Sequence, residues 1–403
     1  MNAHVLPKTL AGSHPIDAAP RRTPALSEVM RDRAIVSPTF CLSPRSVLAG
    51  LAAFQNGFPG ETTFAVKACP LPRLIGLFAT AGMTAFDVAS LEEMALVRAA
   101  APMAELHYHN PIRSDAETAT ALSTFGVRHF SVDDAHGLAR LAVIADRLGV
   151  DKARIEIAIR LKPTRNAALQ DFRSKFGATR PEAEALLGQA TSFGFRVSLT
   201  GHPGSQCLDP QAYVDFIDEA SAIAAGIGGG LVSLNLGGGF PVAYPGVEMP
   251  EAKHYFDAIR QRFTAAFAGE PTRLVAEPGR ALAAHGLSLL APVKHVRPGG
   301  DVFLEDGIYG ALMELLVMPM SLPMRVWRGG EIMAGATRPA RLFGPTCDPI
   351  DVLPGRYDVP ADLVEGDVIE LGLIGGYGPS TVTRFNGYGA IALIEADGIL
   401  GGL

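Results

Sequence analysis

Four residues scattered along the chain have side chains that could act together on an amine. They are Lys67 in "TTFAVKACP", His202 in "TGHPGS", Glu277 in "AEPGR" and Cys347 in "FGPTCD". Lys67 closes an apolar, strand-forming run, Phe64-Ala65-Val66. An unpaired ammonium buried there either carries a large desolvation cost or sheds its proton. It is therefore either a strand's exit into water or an amine placed to react with a carbonyl carbon. The other residues have plain structural readings as well. His202 could close a loop, Glu277 and Arg280 could form a local ion pair, and Cys347 could be a small buried hydrophobe. Glu93 fits a capping box with Ser90, its carboxylate reaching back to the cap N–H.

The glycine run in "LNLGGGFP" is harder to read as structure alone. Gly237, Gly238 and Gly239 follow an apolar strand, and their bare backbone could wrap an anion with N–H groups. The run lacks the GxGxxG spacing of a dinucleotide fold. A lysine at a strand end, an anion site and an opposed carboxylate together suggest pyridoxal phosphate. That cofactor needs an amine, donors for its phosphate and an acid for its ring nitrogen.

These residues need a frame that brings strand ends together. Between residues 62 and 280 eight β-branched or aromatic runs alternate with stretches of helical period: "TTFAVKA", "TAFDVAS", "ELHYHN", "VRHFSVD", "RIEIAIRL", "FRVSLTGH", "VSLNLGGG" and "RLVAEPGR". Eight such units predict an α/β fold, a (β/α)8 TIM-like barrel, with function at the C-terminal strand ends. Those ends read Lys67, Asp87, Asn110, Asp133, Arg160, His202, Gly237–Gly239 and Glu277. After residue 281, strand-like runs separated by Gly/Pro turns predict an all-β barrel or sandwich. The expected organisation is a lead-in over 1–40, the barrel over 41–281 and the β domain over 282–403. "SPTFCL" could add a strand to the last of these.

Composition narrows the partners. The 403 residues are 48% hydrophobic and 19% charged, with a net charge of −6 and no basic run, which argues against nucleic acid or an anionic membrane. No apolar run would span a bilayer, and the N-terminus has no continuous apolar signal segment. The four cysteines lack CxxC spacing, so reduced thiols in a cytoplasmic protein are expected, and no metal.

The ordered stretches "FAVKACP", "FDVASLEE", "SKFG", "GHPGSQ", "LGGGFP", "AEPGR", "DGIYG", "FGPTCD" and "GGYGPSTVTRFNGY" resemble the barrel-type pyridoxal-phosphate decarboxylases of ornithine, lysine, arginine and diaminopimelate. "GPTCD" resembles the ornithine branch most. The resemblance implies that Lys67 carries the cofactor covalently, that Glu277 pairs with its ring nitrogen and that His202 stacks on its face. It implies phosphate contacts from Ser205, Gly237, Gly238, Gly239, Arg280 and Tyr377, a cofactor contact from Gly279, and Asp87, Glu93 and Arg160 around Lys67 and the ring. Tyr309, Cys347 and Asp348 would face substrate, Cys347 and Asp348 from the partner subunit of a homodimer, and Cys347 would return a proton to Cα.

Three departures stand out. Cys69 replaces a usual Asn, and Asn235 replaces a usual Asp before the glycine loop. Val317 and Met318 replace the Tyr-Asp pair that helps bind a distal ammonium. Either Glu314 or Asp351 substitutes, or the substrate is larger, less cationic or conjugated. Two rival functions are a racemase, which needs two bases on opposite faces of Cα, and a non-catalytic regulatory homologue.

Overall fold

The computed structural model describes residues 23–228 and 230–403, so most of the expected lead-in lies outside the described residues. Eight parallel strand positions close into a barrel. From the second position onward they are Ala85–Val88, Glu105–Tyr108, His129–Val132, Glu156–Arg160, Arg196–Thr200, Ser233–Asn235 and Arg273–Ala276. The first position is split. Glu61–Thr62 pairs with the eighth strand and Phe64–Ala65 with the second, and this closes the ring.

Strand periodicity explains how one sequence serves both faces of this wall. Leu106 and Tyr108, Phe130 and Val132, Ile157 and Ile159, and Leu234 and Leu236 are buried in one core cluster with the helices' apolar residues. The intervening positions carry His107, Ser131, Ala158 and Asn235. The helix Ala135–Arg147 illustrates the outer layer. Asp134 caps it by accepting from the Gly137 N–H at 2.8 Å, and Leu138, Leu141, Ala142 and Ala145 form its buried stripe. Gly149 follows it at φ 64°, the left-handed conformation that glycine tolerates best.

The second sheet is built on the long strand Leu287–Val296, which pairs antiparallel with Val368–Leu371. On its other side lies Thr39–Leu42, antiparallel to it and parallel to Ala392–Glu395. Barrel and sheet meet at the short helix Arg280–Ala283, which immediately follows Glu277 and the eighth strand. Among the described residues, no helix is long and apolar enough to cross a membrane.

Candidate active site

The strand carrying Lys67 is shorter than expected: it ends at Ala65, and Val66–Ala68 form a single 3-10 turn. That turn is fastened from the β domain. The Tyr377 N–H donates to the Ala68 carbonyl at 2.7 Å, and Ser380 Oγ donates to the Lys67 carbonyl at 2.6 Å. Lys67 Nζ lies 3.6 Å from Asp87 Oδ2. Desolvation would lower the ammonium's pKa, but Asp87, Tyr377 and Glu277 outweigh it and hold the pKa above the usual lysine range. The Asp87 carboxyl is raised by burial and by the nearby Glu277 charge, with Lys67 opposing.

Glu277 does not pair with Arg280, as a local reading of "EPGR" would have it. Its Oε1 contacts His109 Nδ1 and accepts from Asn235 Nδ2 at 2.7 Å. Burial works against its charge, but His109, with His107 and Lys67, prevails and holds the carboxyl below its usual range. Burial likewise disfavours the His109 imidazolium, which Glu277 outweighs, so the two form a buried ion pair. His202 behaves in the opposite way. Burial, then Lys67 and Arg160, push its pKa well below the usual value, leaving a neutral ring. Its Nδ1 accepts from the Gly204 N–H at 3.1 Å, so the proton sits on Nε2. Arg160 lies over the Phe176 ring at 4.9 Å.

The glycine loop, Ser205 and Arg280 form a cradle beside this cluster. A Cβ at Gly237 would meet the Gly201 carbonyl at 2.2 Å, one at Gly238 the Glu277 carbonyl at 2.8 Å and one at Gly239 the Gly204 carbonyl at 2.3 Å. At Gly279 it would meet the Ala68 Cβ at 2.7 Å. Backbone carbonyls crowd the first three positions and the short Ala68 side chain the fourth, and only glycine fits. Arg280 is buried and donates to Ser205 Oγ at 3.2 Å, its guanidinium lies 5.0 Å from the Tyr377 ring, and its Nε has no partner among the described residues. Tyr377 reaches it from a φ of 72°, a conformation rare for a tyrosine. This donor set suits a phosphate monoester, and with Lys67, Glu277 and His202 alongside, the residues fit pyridoxal phosphate.

Glu314 belongs to this cradle and not to a distal substrate pocket. It makes a bidentate pair with Arg280, at 2.6 and 2.7 Å, and is therefore engaged. Asp351 is not available as a replacement for the lost acid either. It is buried and accepts from the Ile308 N–H at 2.8 Å, the Thr346 N–H at 3.0 Å and Thr346 Oγ1 at 2.7 Å. Its work is to hold "FGPTCD" against "DGIYG".

Cys347 and Asp348 lie in a second, exposed cluster on the β domain. Tyr309 donates its hydroxyl to Asp348 Oδ2 at 2.7 Å and stacks on Phe385, with ring centroids 4.5 Å apart. Cys347 Sγ lies 3.3 Å from Asn386 Oδ1. Val317 is exposed nearby in sequence, whereas Met318 is buried. Other strand ends play supporting parts. Asp133 accepts from the Gly177 N–H at 2.9 Å, tying down "SKFG", and Asn110 Nδ2 donates to the Ala89 carbonyl beyond the neighbouring strand at 3.3 Å. Ser90 caps its helix, but Glu93 takes the Ala89 N–H at 2.6 Å, one residue earlier than a capping box requires.

The residue that reading strand ends missed is His109, one position before Asn110. The signal was present in "ELHYHN". Glu105, His107 and His109 alternate, so they share one face of the third strand. They begin a polar column down the barrel interior. Deeper in the column, Glu156 accepts from Ser198 and Ser233 at 2.5 and 2.6 Å and pairs with Arg196 and Arg273 at 3.2 and 3.1 Å.

Comparison with known proteins gives this geometry its context. A family model described as "Pyridoxal-dependent decarboxylase, pyridoxal binding domain" matches residues 45–284, and one for the C-terminal sheet domain matches residues 256–375. The lysine/ornithine decarboxylase of Selenomonas ruminantium is 30% identical over 340 residues, covering 81% of this chain and 80% of that protein. The diaminopimelate decarboxylase of Pseudomonas aeruginosa is 28% identical, covering 90% of this chain and 88% of its own. The structure of the Vibrio vulnificus lysine/ornithine decarboxylase complexed with putrescine has a TM-score of 0.79 and 26% identity, covering 92% of this chain and 97% of that one. With both of its domains matched and the cradle, lysine and carboxylate in place, this chain belongs to the pyridoxal-dependent decarboxylases and is a pyridoxal-phosphate-dependent amino-acid decarboxylase.

Proposed function

We propose that the protein decarboxylates a basic amino acid of the ornithine/lysine type to its amine, as a homodimer whose chains complete each other's sites. The observation that carries this reading is the convergence of Lys67, Asp87 and Glu277 beside a cradle whose Arg280 has an unpartnered Nε. Lys67 would hold the cofactor through its amine, and Arg280, Ser205, Tyr377 and the Gly237–Gly239 loop would hold its phosphate. His202, kept neutral, would cover one ring face without adding charge. Glu277, kept anionic by His109 and Asn235, would keep the ring nitrogen protonated. When bound, pyridoxal phosphate supplies the electron sink for the pair released as CO2 leaves.

The exposed cluster would complete the site of the partner subunit, where Cys347 would deliver a proton to Cα and Asp348 would receive the substrate's distal ammonium. Exposed Leu316, Val317, Ile350 and Phe385, which share segments with that cluster, support a covered surface here.

Because Glu314 and Asp351 are engaged elsewhere, the distal ammonium would have a single anionic partner. One missing charge-assisted bond costs roughly 1–3 kcal/mol, so ornithine turnover is expected to fall well below that of an enzyme with both acids. The same observation favours, as a second reading, a larger, less cationic or conjugated amino acid. Measuring CO2 release from a panel of amino acids, with Lys67→Ala as the blank, tests both. Efficient high-affinity ornithine decarboxylation would sink the altered-specificity reading, and no CO2 from any amino acid would sink the decarboxylase reading of this site.

A further inference from the structure

The polar column does not stop beneath Glu277; it continues to the opposite, N-terminal mouth of the barrel. Glu105 and His107 stand two apart on the third strand, and His107 is the register partner of His129 on the fourth. The three side chains thus meet on one face of two adjacent strands. His129 Nε2 lies 3.6 Å and His107 Nε2 4.0 Å from Glu105 Oε2, and one donor atom from each residue lies within 4.8 Å of the others. The imidazoles stack with centroids 4.4 Å apart. A small cavity opens here, with room for about one water, lined by His107, His109, His129, Glu156 and Arg273 among others.

We propose that Glu105, His107 and His129 form a binding site for a zinc-type divalent cation, distinct from the decarboxylation site. Two imidazoles and one carboxylate, with a fourth position open to water from the cavity, are a donor set of the borderline transition ions and not of Mg2+ or Ca2+. Tetrahedral bonds of about 2.0–2.1 Å place donor atoms about 3.3 Å apart, so the stacked imidazoles as well as the exposed Glu105 must turn to bring the set to bonding distance.

The surroundings match what such a ligand set requires. His129 Nδ1 faces Glu156 Oε2 at 3.7 Å, a carboxylate placed to orient a ligating ring. Arg196 and Arg273 both pair with Glu156, which leaves Glu105 as the anionic ligand. The buried His107 Nδ1 has no hydrogen-bond partner among the described residues. His107 also belongs to a second triad with His109 and Glu277. A cation on its Nε2 would force the proton onto Nδ1.

The test uses the cofactor-loaded enzyme, stripped of metal with a chelator and titrated with Co2+ alone. The proposal expects a tetrahedral visible absorption band that saturates at about one ion per chain and is abolished by excess Zn2+. Glu105→Gln, at an exposed side chain, and His129→Asn should each weaken Co2+ binding by about tenfold or more. Cys347→Ser should leave it unchanged. Absence of the band, or a band of equal strength and affinity in Glu105→Gln and His129→Asn, overturns the site. If His129→Asn fails to fold, Glu105→Gln decides alone.

Discussion

The barrel cluster and the β-domain cluster differ in almost every physical respect, although Arg280 and Glu314 bring barrel and β domain into direct contact. The barrel cluster stands on strand ends and the turns that follow them, and Asp87, Glu277 and Arg280 are buried with their charges opposed by neighbours. The Cys347–Asp348 cluster stands on β-domain loops, with Cys347 exposed and few contacts around it. One half is preorganised within a single chain, because burial demands that every charge find a partner. On the proposed reading, the other half needs another surface to become a site.

The sharpest way to break this contrast is to remove the barrel's amine. Lys67→Ala should reduce CO2 release by on the order of 10³-fold or more and abolish covalent cofactor attachment, read by borohydride trapping and mass spectrometry. Cys347→Ala should lower kcat by roughly 10²–10⁴-fold while the cofactor remains attached. If both substitutions instead removed the cofactor, the two clusters would not be separable halves.

Mixing the two inactive variants tests the shared site directly. With random exchange, half of the dimers carry one intact composite site, so activity should recover to about a quarter of wild type. No recovery, despite subunit exchange seen by native mass spectrometry, would place both clusters in one chain's site.

Smaller effects probe the barrel half alone. His109→Gln should lower kcat/KM by roughly 10- to 100-fold, because Glu277 would keep only Asn235 as its short-range neutral partner. The bound cofactor's absorbance should then change its pH profile; an unchanged profile would make His109 merely structural.

The smallest effect concerns stability. Burial raises the Glu93 carboxyl from its ordinary 4.5 to about 7. Its ionised form is therefore disfavoured in the folded state, and the resulting loss of stability grows from pH 4.5 through pH 7 and is complete above it. Glu93→Gln removes this dependence. Its stability relative to wild type should rise by about 2 kcal/mol between pH 5 and pH 8, allowing for partial exposure. Parallel thermal-unfolding curves for the two proteins across that range would contradict it.

Much of the barrel was legible because short strands announce themselves by β-branched runs and turn residues. All eight runs became wall positions, including the split first one. The site was legible where residues sit at strand ends, as with Lys67, Asp87 and Glu277. His109 was missed because the reading looked at strand ends and not at the inward face leading to them. Whether Glu314 or Asp351 stands in for the missing acid stayed open in sequence for a different reason. A free acid and an engaged acid look alike in sequence, since their partners are Arg280, 34 residues away, and the amides of Ile308 and Thr346.

The sequence by itself determined the alternation of strands and helices, the glycines that no other residue could replace and the order of the chemical motifs. These are local properties, set by side-chain period and backbone sterics. Only the tertiary structure decided which charges neutralise which. It paired Glu277 with His109 and Arg280 with Glu314, and it left Cys347 at the surface. Pairing depends on distance and burial, and residues far apart in the chain acquire these only when the barrel closes.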